Sequence, residues 1–271
     1  MVDRCEMPLL PLPQFADQPR YVRRLARWSD GLTRRLEDFR SDEVFDFVRQ
    51  RSSIPNLRHE LSELVEASEV PHSDTRHTLE ELRIFASLRQ NFEGASPSVI
   101  GLGALIDAAL PMMEGAISVR TYRSQTSPVR GQATLFAQPG EIAMRLAAVD
   151  AWLLEQESLG IPRSFQAVVA MSAFCALHPL TDGNGRMSRI LFNLLLYGDR
   201  RSIGCYLPMA TLAARSSSGF LISLKLSQFG NEWKSICKFH VASLLFILKN
   251  FSSNITAWPN PRLDRNACYG T

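Results

Sequence analysis

Apolar residues along this chain recur mostly every three or four positions, the interval that lines one face of an α-helix. Between 21 and 50 the stripe runs through Leu25, Trp28, Leu32, Leu36, Phe39, Val44, Phe47 and Val48 in a charged background. After a break at 52–55, a second amphipathic helix is predicted over 57–68, carried by Leu57, Leu61, Leu64 and Val65. The polar stretch 71–77, with Pro71 in it, reads as a loop. Helices follow from Thr78 to Phe92 and from Pro97 to Leu110. Ser96 stands where a cap belongs, Pro97 suits a first helical position, and Pro111 stops the run.

Residues 116–139 depart from this period. The stretch Ile117–Arg123 is rich in β-formers and alternates, 127–131 is turn-like and 133–136 is again β-prone, which predicts a short hairpin or flap. Helical spacing returns over Gly140–Leu154, through Ile142, Met144, Leu146, Val149, Trp152 and Leu153. Ser164–Leu177 is a strongly apolar helix with Ser164 as its expected cap, and Gly185–Tyr197 is another, ended by Gly198. Residues 206–226 are mixed, and 230–250 form a last apolar helix around Trp233, Ile236, Phe239, Leu244, Leu245 and Leu248. The proline-rich segment 1–20 reads as extended, and the tail from Phe251 has no period. No internal repeat is present. The predicted class is mainly α with one small β element.

The 271 residues suit one large domain or two small ones. A net charge of +3 is too small to point to nucleic acid, and the arginines of 20–35 read as a solvated helix face, so direct nucleic-acid binding is not expected. The apolar runs 190–197 and 241–248 are far shorter than the roughly 18 residues of a membrane span. The short apolar stretch near Met1 is broken by Pro8, Pro11 and Pro13, which excludes a signal peptide and leaves a cytoplasmic location as the expectation. Cys5, Cys175, Cys205, Cys237 and Cys268 are odd in number and scattered, which predicts reduced thiols over a disulfide framework or zinc knuckle. His59, His72 and His77 lack metal-site spacing and read as surface residues; His240, on an apolar helix, reads as a hydrogen-bonded core histidine. Gly101-Leu102-Gly103 lacks both the third glycine and the preceding strand of a dinucleotide fingerprint.

One segment concentrates the chemistry: His178-Pro179-Leu180-Thr181-Asp182-Gly183-Asn184-Gly185-Arg186-Met187-Ser188-Arg189. Pro179 ends the helix before it. Gly183 and Gly185 allow a tight turn into the next helix, where unpaired N–H groups and the helix dipole favour an anion. Arg186 and Arg189, three apart, fall on one face of that helix's first turn, where the dipole opposes cations unless an anion joins them. Phosphate is the best geometric partner for guanidinium. Asp182 is a lone carboxylate beside the cradle, the usual way to hold Mg²⁺ together with substrate phosphates. His178 is placed to accept a proton near neutral pH.

This segment resembles the Fic family motif H-P-F-x-[D/E]-G-N-G-R-x-x-R. His178, Pro179, Asp182, Gly183, Asn184, Gly185, Arg186 and Arg189 match; Leu180 stands where the family usually has Phe, at a position expected to face the core. A weaker resemblance extends over roughly residues 60–245. It implies a Fic-type helical bundle with a β-hairpin flap beside the active site, and a division into 1–98 (helical, with a candidate inhibitory helix), 99–250 (catalytic) and 251–271 (tail).

The resemblance further implies protein AMPylation: ATP and Mg²⁺ are used to place AMP on a Tyr, Thr or Ser hydroxyl of a target protein, with self-modification and a homodimer both allowed. His178 would be the base and Asp182 the Mg²⁺ ligand. The backbone of Gly183–Gly185 and the Asn184 side chain would cradle the α- and β-phosphates, with Arg186 on the β/γ- and Arg189 on the γ-phosphate. The flap at Ser127, Pro128, Val129, Arg130 and Gly131 would take the target as an added strand. Relatives also carry an inhibitory [S/T]-x-x-x-E-[G/N] helix; Ser62 and Glu66 match it and Ala67 does not. Removal of AMP, or a non-catalytic nucleotide-binding regulatory role, remains open as an alternative.

Overall fold

The computed structural model describes residues 11–63, 75–113, 137–198 and 204–251. The described residues form eleven α-helices and no strand. They are α1 (Arg20–Arg34), α2 (Ser41–Arg49), α3 (Thr75–Asn91), α4 (Pro97–Ile100), α5 (Leu102–Ala109), α6 (Ile142–Ser158), α7 (Arg163–Leu177), α8 (Asn184–Tyr197), α9 (Met209–Ala214), α10 (Gly219–Gly230) and α11 (Lys234–Phe251). The expected hairpin lies, over 116–136, outside the described residues, as does the tail from 252. None of the described helices is long and apolar enough to cross a membrane.

The consecutive helices α7 and α8 form the centre. Both bury nearly every side chain, Phe165, Val169, Phe174, Ile190, Leu191 and Phe192 among them, and they pack on each other more extensively than any other two helices. Each such side chain contributes about 1.5–3 kcal/mol when removed from water. Around this pair, α3 lies on α8, α6 on α7, and α1 on both α7 and α11. Residues 11–19 are not simply extended: they turn at 15–17, bury Phe15 against Phe165, and accept the Trp152 indole N–H at the Pro13 carbonyl, 3.1 Å.

Several sequence expectations are corrected, by local turns and by contacts distant in the chain. The single helix over 57–68 does not form in its described part, 57–63, where one 3₁₀ turn, Pro55–Leu57, ends and another, Glu60–Glu63, follows. His59 explains this: its ring Nδ1 accepts the Leu61 N–H (3.0 Å) and its own N–H donates to Ser62 Oγ (3.1 Å), closing a turn that competes with a helix. The ring also meets Ser235, so His59 is not simply a surface residue. The run 97–110 is split at Gly101, whose φ of 85° only glycine adopts cheaply, while Asp150 Oδ1 accepts the Leu102 N–H at 2.8 Å and starts α5. Burial raises the Asp150 carboxyl, with the Leu102 bond opposing it.

Ser96 is the N-cap residue of α4 with Pro97 after it, as expected, whereas Ser164 is not the cap of α7, and neither hydroxyl caps a helix. Ser96 makes no cap bond and instead joins Ser98 and Glu157. Ser164 lies inside α7 and donates to Ala26 O (2.8 Å), while the Arg163 and Ser164 N–H groups are capped from α1 by the Asp30 carboxylate at 3.0 and 2.8 Å. The predicted end of α8 does hold: Gly198 is its C-terminal boundary with φ 57°. Asn193, the polar break in α8's apolar run, brackets Leu207 by accepting its N–H (2.8 Å) and donating to its carbonyl (3.2 Å).

Cys175, Cys205 and Cys237 are free thiols; burial pushes Cys205 and Cys237 up to about 12, which keeps them protonated and unreactive. His240 is in the core as expected but is not hydrogen-bonded: it is 2% exposed, edge-on to Phe192, with neither ring nitrogen partnered. Burial lowers its pKa to about 3. A folded value below the unfolded value of about 6.5 means that the unfolded chain takes up the proton first, so stability falls as pH drops below about 6.5. Each unit of acidification through that window costs about 1.4 kcal/mol. His240→Phe is expected to flatten the profile of unfolding free energy from urea melts against pH between 6.5 and 5 by about 2 kcal/mol.

Candidate active site

The motif segment joins the two central helices. α7 ends at Leu177, and His178 closes it in the left-handed conformation (φ 48°, ψ 54°), its N–H donating to Phe174 O at 2.9 Å. A non-glycine residue there carries roughly 1–3 kcal/mol of strain, tolerated only where the surroundings impose it. Here Pro179 forbids continuation of the helix, and Leu180, 5% exposed, anchors the following bend in the core, as its sequence position implied. The imidazole is half-buried.

Gly183 then turns the chain into α8 with φ 84° and ψ 5°. A side chain there would be strained, and its Cβ would come within 2.6 Å of Met113 Cε. No side chain caps α8, and the N–H groups of Asn184 and Gly185 find no acceptor among the described residues. Asn184 instead locks the bend: its Oδ1 accepts the Leu180 N–H (2.8 Å) and its Nδ2 donates to Leu180 O (2.7 Å). The Asn184 side chain thus shapes the loop through Oδ1 and one of its two Nδ2 hydrogens. Asp182 stands at the mouth, with its side chain 68% exposed.

The two arginines are already engaged. Arg186, 8% exposed, donates through Nη2 to Asp182 Oδ2 at 3.0 Å and through Nη1 to the two Glu80 oxygens at 3.3 and 3.4 Å. Arg189 donates through Nε to both Glu81 oxygens at 3.1 Å and through Nη2 to Oε1. Glu81 is fully buried and also accepts the Tyr206 hydroxyl at 2.6 Å. Burial pulls the Arg189 guanidinium down, but the Glu81 charge more than reverses this and leaves it raised; burial and the same carboxylate raise the Tyr206 phenol. The Cys175 thiol, near Ser188 and Arg189, is raised by burial.

His178, Asp182, the Gly183–Gly185 turn, Arg186 and Arg189 thus come together at one helix start. Ser62 is buried and spends its hydroxyl on His59. Glu66 and the flap residues Ser127–Gly131 lie outside the described residues. Sequence reading missed Glu80, Glu81 and Tyr206. A signal for Glu81 existed: with Ile84, Phe85 and Leu88 it makes the i, i+3, i+4, i+7 stripe that α3 buries, so a carboxylate stood where the pattern demanded an apolar residue.

Among the described residues no group of three or more His, Cys, Asp and Glu could hold a metal ion by itself. A family model described as Fic/DOC family matches residues 105–196, the stretch holding α7, the bend and α8. A Fido domain-containing protein of Dictyostelium discoideum is 31% identical over 120 residues, a match covering 38% of this chain and 80% of that protein. The crystal structure of a Fic family protein from Desulfovibrio desulfuricans shares the fold at a TM-score of 0.57, with 16% identity, across 89% of this chain and 76% of that one. With every motif position but Leu180 matched on the bend between the two central helices, the chain belongs to the Fic/DOC family.

Proposed function

We propose that this chain is a protein adenylyltransferase, moving AMP from ATP to a Tyr, Thr or Ser hydroxyl of a target protein. The observation that carries the reading is the junction itself. A histidine held in a strained left-handed conformation stands beside an uncapped helix start with free N–H groups, and an exposed carboxylate lies between them. Such strain is kept where a fold holds a reacting group in place.

In this reading the target hydroxyl gives its proton to His178 as its oxygen bonds to the α-phosphorus. The bond from that phosphorus to the bridging oxygen breaks, and pyrophosphate leaves. The backbone N–H groups of 184 and 185 and the α8 dipole face the charge that develops on the phosphate, already oriented before reaction. Asp182 would hold Mg²⁺ jointly with the nucleotide phosphates, and the ion would supply charge neutralisation there. One carboxylate suits that ion, because Mg²⁺ keeps most of its waters and takes its remaining ligands from phosphate. Arg186 and Arg189 would grip the outer phosphates, and residues 127–131 would receive the target as an added strand.

The test is intact-mass spectrometry of the purified chain, alone and with a cell lysate, after incubation with ATP and Mg²⁺. A gain of one AMP unit on the chain or on a lysate protein is the expected result. ATP binding with no such gain in any lysate would instead mark a nucleotide-sensing module.

A further inference from the structure

Helix α3 delivers two adjacent carboxylates to the two motif arginines, and they differ in kind. Glu81 is sealed in the core, held by two guanidinium nitrogens and a phenol. That arrangement fixes Arg189 in place and leaves its Nη1 without a hydrogen-bond partner, beside Gly185, where an added Cβ would lie 3.1 Å from it. Arg189 is therefore a preset donor at the edge of the anion turn. Arg186 is in the opposite condition. Both of its terminal nitrogens are already on carboxylates, Asp182 on one side and Glu80 on the other.

We propose that Glu80 is a specificity-determining residue that occupies Arg186 and must be displaced from it by the β-phosphate of an incoming nucleotide. The inference rests on the nucleotide-binding reading above. Three features carry it. The Glu80 contacts with Arg186 are 3.3 and 3.4 Å, beyond the usual range of a charge-assisted bond, so this pairing is weaker than that of Glu81 with Arg189. The Glu80 side chain keeps 10% exposure, against none for Glu81, so water and ligand reach its side of the pair. And among the described residues three carboxylates (Glu80, Glu81 and Asp182) stand against these two guanidinium groups, so a phosphate approaching Arg186 meets opposing negative charge until one carboxylate withdraws or is neutralised.

This contact is independent of the Ser62–Glu66 pattern, since it comes from a different helix and engages the first motif arginine. Its effect is to make affinity depend on the second phosphate. A nucleotide with a β-phosphate competes with Glu80 for Nη1, whereas AMP leaves the pair untouched.

The experiment is isothermal titration of the full chain with ATP and Mg²⁺, and separately with AMP, for the wild type and for Glu80→Gln. The amide keeps the shape of Glu80 and removes its charge. Kd for Mg·ATP is expected to fall on the order of tenfold, the cost of exchanging one charge-assisted bond, with Kd for AMP unchanged. Should Glu80→Gln fail to fold, Glu80→Asp, which retracts the carboxylate by one methylene, is expected to shift ATP affinity in the same direction by a smaller factor. ATP affinity that is equal or weaker in the variant, or an equal gain for AMP, overturns the proposal and leaves Glu80 as a strut. Failure of the wild type and both variants to bind ATP at all instead sinks the nucleotide reading, and this proposal with it.

Discussion

His178→Ala is expected to lower AMP transfer by about 10²–10⁴-fold while leaving ATP binding intact, the range that a positioned general base contributes. The separation of the two effects follows from where the residue sits. His178 lies at the end of α7, and the groups proposed to face phosphate belong to α8 and to the Gly183 turn, where Asn184 bonds Leu180 without the imidazole. The backbone cost also points one way: alanine tolerates φ 48° no better than histidine, so the substitution brings no relief of strain that could mask the loss. Label from α-³²P-ATP on the chain or a target, measured beside nucleotide affinity, checks both halves. A variant that transfers AMP at the wild-type rate would remove His178 from the chemistry.

The second large effect concerns stability. Glu81→Ala is expected to cost about 3–5 kcal/mol, because it strands a largely buried guanidinium and leaves the Tyr206 hydroxyl without its acceptor. For a chain of this size that corresponds to a fall in Tm of roughly 10 °C or more. The loss should reach beyond α3: Tyr206 belongs to the segment that Asn193 and Ser41 also hold, so the carboxylate ties α3 and α8 to the loop leading into α9. Removing both charges together, in Glu81→Leu with Arg189→Met, should recover much of the stability, since an apolar pair of similar volume carries no desolvation cost. Thermal melts of the three proteins decide it. If Glu81→Ala melts with the wild type, the trio is not the support described here.

The membership and the central helix pair, α7 and α8, were legible because they depend on local signals. Pro179 stops a helix, Gly183 takes a φ no other residue adopts cheaply, and Gly198 ends α8; these are properties of single residues and need no partner. The apolar periods of α7 and α8 likewise announced helices buried on most sides. What the sequence could not state was which distant group satisfies which terminus. Asp30 caps α7 from more than a hundred residues upstream, so Ser164 is freed to bond Ala26; His59 and Gly101 interrupt helices that spacing alone predicts to be continuous.

The active-site segment divides along the same line. Its backbone shape and its inventory of base, carboxylate and guanidinium groups were determined by twelve consecutive residues. The charge state in which a nucleotide would find it was not, because Glu80, Glu81 and Tyr206 arrive from α3 and from the loop before α9, and ion pairs form by proximity in space regardless of separation in the chain. Sequence alone therefore determined the turn and the groups it carries; only the tertiary structure decided that its arginines are already held by carboxylates.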